Sequence, residues 1–282
     1  MIDSHCHLAG EEFAADLEAV IARARAAGLV RCLVILAADD DAELERADHV
    51  SRAWPEVKYA IGVHPHHAHR FADSPEAAAG LTADRLQMMP SACAVGEIGL
   101  DYHYDFSARE VQHAVFRAQL QLARARSLPV VIHTREAEED TLRIIAEQSQ
   151  GVLRGVFHCF SGDRAAAARA LGTGFHVSIP GIATFPKATA LRDAARELPI
   201  ARLLIETDSP YLAPIPFRGK RNEPGYVVKT LELVAELRGI ARDVLGAQLV
   251  KNFDELFGLP GTDQPRNDSS DPPSEPDTIR GD

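Results

Sequence analysis

The sequence predicts a single α/β domain folded as a (β/α)₈ barrel of the TIM type. Short runs rich in β-branched residues alternate eight times with stretches rich in Ala, Arg and Glu, and the alternation reaches from residue 1 to about residue 260. Strands separated by helices pair in parallel through right-handed crossovers, and eight such units close into a barrel. An open doubly wound sheet fits less well, because no glycine-rich dinucleotide turn follows the first strand.

Each predicted strand is a short, mostly apolar run. The eight runs are Met1–Cys6, Arg31–Ala37, Lys58–Val63, Cys93–Glu97, Val130–His133, Gly155–His158, Phe175–Ile179 and Leu203–Glu206. The segments between them are long enough for crossover helices. The clearest predicted helices are Glu11–Ala27, Asp40–Ala53, Ala108–Arg126 and Arg135–Gln148, and two more, near Pro224–Leu237 and Arg242–Leu256, follow the last strand.

Composition and charge narrow the functional class. No run of about 18 apolar residues occurs, and the amino terminus lacks the features of a signal peptide. The four cysteines show no CxxC spacing, so we expect a cytoplasmic protein with reduced thiols. We also expect no membrane span and no obligate protein partner. The net charge of −11 argues against a protein that covers nucleic acid with a broad basic surface. It leaves open a nuclease that takes a strand end into a local pocket.

The last residues of the chain differ from the rest. The segment Thr262–Asp282 carries six carboxylates and two arginines and has almost no apolar side chains. Such a segment buries too little surface to offset its ordering entropy. We therefore expect one domain over residues 1–260 and a disordered acidic tail over residues 261–282.

Side chains that bind metals recur where the predicted strands end. The six candidates are His5, His7, Glu97, His133, His158 and Asp208. Barrel active sites lie at the face where the carboxyl ends of the strands and the following loops converge. Taken singly, each candidate has an ordinary explanation, such as a core histidine, an ion pair or a cap. Six of them at the ends of five strands predict a metal site.

These residue types suit Zn²⁺, Mn²⁺ or Mg²⁺. Residues two apart on a strand share a face, so His5 and His7 both point into the barrel mouth. A central carboxylate bridges two ions, and two ions about 3.5–4 Å apart activate water and stabilise the attacking and leaving oxygens. The expected division is His5, His7, Glu97 and Asp208 for one ion, and Glu97, His133 and His158 for the other.

Seven ordered motifs resemble the TatD family of metal-dependent nucleases, within the amidohydrolase-like barrels. They are DSHCHL at Asp3–Leu8, GVHPH at Gly62–His66, GEIGLD at Gly96–Asp101, VIHTR at Val131–Arg135, HCFSG at His158–Gly162, ETDSPYL at Glu206–Leu212 and RGKRNEP at Arg218–Pro224. The resemblance spans Met1 to about Leu259 and shows no departure at a ligand position. The tail has no counterpart in it.

The resemblance implies a TIM-like barrel with a Mg²⁺-, Mn²⁺- or Zn²⁺-dependent phosphodiesterase activity. The implied reaction is DNA hydrolysis, including 3′→5′ exonuclease action on single strands, with RNA left open as a substrate. Asp208 would bind metal and orient or deprotonate the attacking water, with Glu97 as the other catalytic carboxylate. His64, at the end of the third strand, would contact the scissile phosphate or its neighbour.

Further residues are expected around the substrate. Arg218 and Lys220 follow the eighth strand, where barrels often place phosphate sites, and they would hold the phosphodiester. A solvated basic loop is the alternative for both. His66 is a candidate substrate contact. Glu206 points to the same face as Asp208, and it either orients a metal ligand from behind or belongs to a structural ion pair.

Two other functions stay open at this stage. A different hydrolase on the same scaffold would cleave a carbonyl ester or an amide, for example as an aminoacyl-tRNA deacylase, because one barrel supports many chemistries. Preference for Zn²⁺ would favour that alternative, and preference for Mg²⁺ would favour phosphodiesters. A non-enzymatic binding module predicts lost ligands, and none of the six is lost.

Overall fold

The computed structural model describes residues 1–104 and 106–258. Its centre is one sheet of eight parallel strands in sequential order. The strands are β1 (Ile2–Cys6), β2 (Arg31–Ala37), β3 (Lys58–Gly62), β4 (Ala92–Asp101), β5 (Val130–Arg135), β6 (Gly155–Phe157), β7 (His176–Ile179) and β8 (Leu203–Ile205). The predicted tail, residues 261–282, lies outside the described residues.

Hydrogen bonds between the end of β1 and the residues that follow β8 nearly close the sheet into a barrel. Cys6 forms a parallel bridge with Ser209, and the His7 N–H donates to the Ser209 carbonyl at 2.7 Å. The Asp208 N–H donates to the His5 carbonyl at 2.9 Å. Sequential parallel strands that close in this way form the (β/α)₈ architecture, so the predicted fold class is confirmed.

Helices occupy the crossovers between strands, and the last two helices follow β8. They are α1 (Leu17–Ala26), α2 (Asp41–Ala53), α3 (Pro75–Met88), α4 (Arg109–Arg126), α5 (Glu138–Ser149), α6 (Arg164–Gly172), α7 (Thr189–Glu197), α8 (Val227–Arg238) and α9 (Arg242–Phe257). In α4, for example, Val115, Phe116, Leu120 and Ala123 are buried at helical spacing, which turns one stripe toward the sheet. In the part of the chain that the structure describes, no helix has the length and apolarity to cross a membrane.

The fourth strand is longer than predicted. It continues past Glu97 to Asp101, because its pairing with β5 extends to Asp101 opposite Arg135. Gly99 permits this close approach: its φ is +146°, and a Cβ there would lie 1.9 Å from the His133 carbonyl oxygen. The extended pairing also places Arg135 in β5, whereas the sequence predicted it at the start of a helix.

The first helical segment is shorter than predicted. The range Glu11–Ala27 divides into a 3₁₀ turn at Glu11–Phe13 and the helix α1. Phe13 is fully buried at the end of that turn. The apolar spacing alone did not reveal the break, because both pieces turn apolar residues toward the same core.

Several buried groups that ionise lie where the strands end at the barrel mouth. They are His5, Glu97, Asp101, His158, Glu206 and Asp208, each less than a tenth exposed. Burying an unpaired charge is costly, so such groups need charged partners, hydrogen bonds or a metal. Their mutual geometry therefore defines the site.

Candidate metal centre

Glu97 lies at the centre of the cluster and faces histidines from four strands. Its Oε1 is 2.7 Å from His133 Nδ1, 2.7 Å from His158 Nε2 and 3.4 Å from His64 Nε2. Its Oε2 is 3.4 Å from His5 Nε2. Burial raises the pKa of Glu97, but the neighbouring imidazoles, led by His158 and His64, lower it by a larger amount. The pKa of Glu97 therefore lies well below its usual range. The carboxylate is therefore ionised and presents one oxygen to each side.

His5, His7 and Asp208 form the first candidate ligand group, on one side of Glu97. The two Nε2 atoms are 3.4 Å apart, and Asp208 Oδ1 lies 3.7 Å from His5 Nε2 and 3.6 Å from His7 Nε2. Ligand atoms bonded tetrahedrally to one ion at about 2.1 Å are separated by about 3.4 Å. These separations fit the ligands of a shared cation, and most of them are longer than ordinary hydrogen bonds.

His133 and His158 form the second candidate ligand group, on the other side of Glu97. A carboxylate lies behind His133, where Asp101 Oδ2 is 3.0 Å from His133 Nε2. Glu206 Oε1 lies 3.5 Å from His158 Nδ1, and this nitrogen makes no hydrogen bond with the described residues. Carboxylates in this position fix the tautomer and orientation of a ligating histidine and raise its basicity. The donor set of two imidazoles and a carboxylate fits Zn²⁺ or Mn²⁺.

The closure of the barrel positions Asp208. This residue has φ +56°, a left-handed conformation that Asp tolerates better than most residues. The preceding Thr207 donates from its N–H and Oγ1 to Asp3 in β1, at 2.9 and 2.6 Å. The Asn222 amide donates to the Thr207 carbonyl at 2.8 Å. Two buried polar side chains therefore hold the backbone from which Asp208 reaches His5.

His64 and His66 follow β3 at the same face. His64 Nδ1 accepts a hydrogen bond from the His66 N–H at 3.1 Å, so Nε2 carries the proton of the neutral ring. Burial lowers the pKa of His64 to about 4 despite the charge of Glu97, so the ring is neutral at physiological pH. His66 Nε2 lies 2.9 Å from Asp101 Oδ2, the oxygen that also contacts His133.

Two buried glutamines of α4 hold the backbone of two strand ends. The Gln119 amide accepts from the Val63 N–H at 2.7 Å and donates to the Val63 carbonyl at 3.0 Å, directly before His64. Gln112 makes the same pair of bonds with Asp101, at 2.8 and 3.0 Å. One face of a single helix thus fixes the positions from which His64 and the Asp101 carboxylate reach the cluster.

Arg218 and Lys220 lie apart from the cluster. Both side chains are exposed in the turns after β8, and the Arg218 guanidinium lies 4.7 Å from the centre of the Phe185 ring. Neither side chain makes a hydrogen bond or an ion pair with the six ligand candidates in the described part of the chain. Their neighbour Arg221 instead bonds to Asp16 at 2.8 and 2.9 Å. Substrate binding by Arg218 and Lys220 stays a prediction.

The sequence assigned no role to Asp101, Gln112 or Gln119. A signal for Asp101 was present, because positions 97 and 101 of an extended strand face the same side. The predicted strand ended at Glu97, so it did not include Asp101. No comparable signal marks the glutamines, since Gln is common on exposed helix faces and their partners are backbone atoms.

The fold and the site together define a (β/α)₈ hydrolase with a candidate metal centre at the barrel mouth. The sequence model of the family described as "TatD related DNase" matches residues 2–258. The chain belongs to the TatD family.

Individual relatives agree with this assignment. The uncharacterized metal-dependent hydrolase YcfH of Escherichia coli is 39% identical over 262 residues, which cover 92% of this chain and 96% of the relative. The 3′-5′ ssDNA/RNA exonuclease TatD of Erwinia amylovora is 38% identical over 268 residues, 92% and 100% of the two chains. The crystal structure of YjjV, a TatD homologue from E. coli, matches at a TM-score of 0.83 and 30% identity over 92% and 98% of the two chains. The predictions of the family and of a metal-dependent hydrolase are confirmed.

Proposed function

We propose that this protein hydrolyses phosphodiester bonds in single-stranded DNA from the 3′ end, using two divalent ions. The observation that carries the proposal is the placement of Glu97, which presents Oε2 to the first ligand group and Oε1 to the second. The similarity to a relative named as a 3′-5′ ssDNA/RNA exonuclease supports the choice of substrate. RNA has the same phosphodiester chemistry and is included in the test below.

The proposed ions are Mg²⁺, Mn²⁺ or Zn²⁺. His5, His7, Asp208 and Glu97 would hold one, and Glu97, His133 and His158 would hold the other. Divalent ions bound there would supply Lewis acidity toward water and toward the phosphoryl oxygens. The two groups differ in their surroundings, so they need not bind the same metal with equal affinity.

Asp208 is the proton acceptor in this proposal. Burial raises the pKa of Asp208, but the neighbouring imidazoles of His7, His5 and His158 lower it by more, and the net direction is downward. The carboxylate is therefore ionised at neutral pH. It orients the attacking water beside the first ligand group and takes up its proton.

His64 is the hydrogen-bond donor to the phosphate. Its neutral ring carries the proton on Nε2, which faces the cluster beside Glu97, and its side chain is partly exposed at the mouth. A neutral donor binds a phosphate oxygen without competing with the ions for the Glu97 carboxylate. His66 and the exposed Arg218 and Lys220 would contact the strand further from the reacting bond.

Cleavage of a labelled strand tests the proposal. The purified protein is incubated with a 5′-labelled single-stranded DNA or RNA oligomer and Mg²⁺, Mn²⁺ or Zn²⁺ in turn, beside Glu97→Ala. Glu110→Ala, at an exposed carboxylate of α4, is the matched control. We expect a descending ladder that requires metal, persists in the control and is absent in Glu97→Ala. Intact DNA with every metal would contradict the proposal, and a panel of carbonyl and aminoacyl esters would then test the alternative hydrolase.

A further inference from the structure

An aromatic pair stands exposed at the barrel mouth after β4. The rings of Tyr104 and Phe106 are nearly parallel, with 4° between their planes and 5.4 Å between their centres. Phe106 is 60% exposed and Tyr104 is 40% exposed. Contiguous apolar surface is unfavourable in water, and where proteins keep it, it often marks a binding surface.

The pair is connected to the metal centre through His66 and Asp101. The His66 ring meets Phe106 and Tyr104 edge-on, with ring centres 4.9 and 5.4 Å apart. Asp101 accepts the Tyr104 N–H at 2.9 Å through Oδ1, while its Oδ2 contacts His66 and His133. One carboxylate therefore contacts Tyr104, His66 and His133, and it links the aromatic pair to the second group.

A cation completes the surface. Arg135, the last residue of β5, is exposed and places its guanidinium carbon 4.8 Å from the centre of the Tyr104 ring. A guanidinium stacks on aromatic planes and also donates to phosphate oxygens. Aromatic faces combined with positive charge are what proteins use to bind unpaired nucleic-acid strands.

We propose that Tyr104, Phe106 and Arg135 form a stacking subsite for an unpaired base of the strand being cut. This inference rests on the proposed function and adds how the substrate is chosen. Every base has a π face, so the subsite tolerates any sequence. Bases within a duplex are already stacked and paired, so the subsite selects single strands.

The test compares a short DNA strand that carries bases with the same strand built of abasic units. In the wild type, we expect the abasic strand to have a KM about tenfold higher, equivalent to about 1.4 kcal/mol. In Phe106→Ala this KM ratio falls toward one, because the normal strand loses its stacking partner. Phe106→Tyr keeps an aromatic face and retains the ratio. Met88→Ala, at a 72% exposed side chain of α3, is the control and also retains it.

The outcomes separate this inference from the proposed function. If the wild type cleaves neither strand with any metal, the proposed nuclease activity fails, and the subsite has no substrate. If the wild type cleaves both strands with the same KM, the nuclease stands and the stacking subsite is overturned. The subsite is also overturned if Phe106→Ala leaves the tenfold ratio intact. Thermal unfolding of Phe106→Ala at the wild-type temperature confirms that the variant is folded.

Discussion

The two ligand groups on either side of Glu97 are held in place by different means. In the first group, backbone hydrogen bonds between β1 and the end of β8 carry Asp208 to His5, and the facing atoms stay 3.4–3.7 Å apart. In the second group, the Asp101 carboxylate orients His133 from behind, Glu206 lies 3.5 Å from His158, and both imidazoles reach Glu97 at 2.7 Å. The first group therefore depends on barrel closure, and the second depends on side-chain partners.

This difference has a consequence for metal binding. A histidine oriented by a carboxylate is preorganised and more basic, so it loses less freedom when it binds an ion. The first group has no such carboxylate within the contacts described for His5 and His7, apart from Glu97 and Asp208 themselves. We therefore expect the second group to bind its ion more tightly than the first.

Substitution of Glu97 is expected to have the largest effect. Glu97→Gln keeps the shape of the side chain but removes the charge that both groups share, so both ions bind weakly. We expect activity to fall on the order of a thousandfold, as when a central electrostatic group is removed from an active site. Metal analysis after dialysis, alongside cleavage rates, measures both effects. Full retention of one ion would show that Glu97 does not bridge the two groups.

Single substitutions in each group test whether the two groups bind separate ions. His7→Asn removes a ligand from the first group, and His158→Asn removes one from the second. If the groups bind separate ions, each variant loses about one ion per chain and keeps the other. The matched pair is compared by metal titration of the metal-free protein. Loss of both ions in both variants would mean that the cluster binds metal as a single unit.

Substitution of Asp101 tests whether the carboxylate behind His133 strengthens metal binding at the second group. Asp101→Asn presents an uncharged amide to His133, so the imidazole loses its anionic partner. We expect metal affinity at the second group to fall about 10- to 100-fold with the first group unaffected. Asp73→Asn, at an exposed carboxylate, is the control. An equal loss of metal affinity at both groups would mean that Asp101 supports the fold as a whole and not the second group in particular.

Gln119 is expected to have the smallest effect on activity. Gln119→Leu leaves the Val63 N–H and carbonyl buried without their side-chain partner, which costs about 1–3 kcal/mol of unfolding free energy for each unsatisfied group. Cleavage slows a few-fold because His64 is less well held, while metal content stays at the wild-type level. Urea unfolding and metal analysis measure the two effects, with Gln121→Leu at an exposed position of α4 as the control. Wild-type stability in Gln119→Leu would contradict the role of this amide.

The sequence was sufficient for the fold class because each βα unit carries its own local signal. The eight runs fall on the eight observed strands, and the strand ends place the candidate ligands near one another. The extension of β4 was missed because it depends on pairing with β5, which local pattern does not encode. The roles of Asp101 and Gln119 were missed for the same reason: their partners lie 32 and 56 residues away.

The roles of the charged residues in the loop after β8 could not be predicted from the sequence either. The loop has three basic residues that the sequence alone does not distinguish. In the structure, Arg221 bonds to Asp16 and contacts Glu223, while Arg218 lies over Phe185. Only tertiary contacts separate a structural arginine from one that is free to meet a substrate.

We propose that one carboxylate, Glu97, serves two cation sites of different construction. Crystals of the protein soaked in Mn²⁺ and measured at the manganese absorption edge would test it most directly. We expect two anomalous peaks about 3.5–4 Å apart on either side of Glu97, one against His5 and His7 and one against His133 and His158. A single peak, or two peaks that Glu97 does not separate, would contradict it.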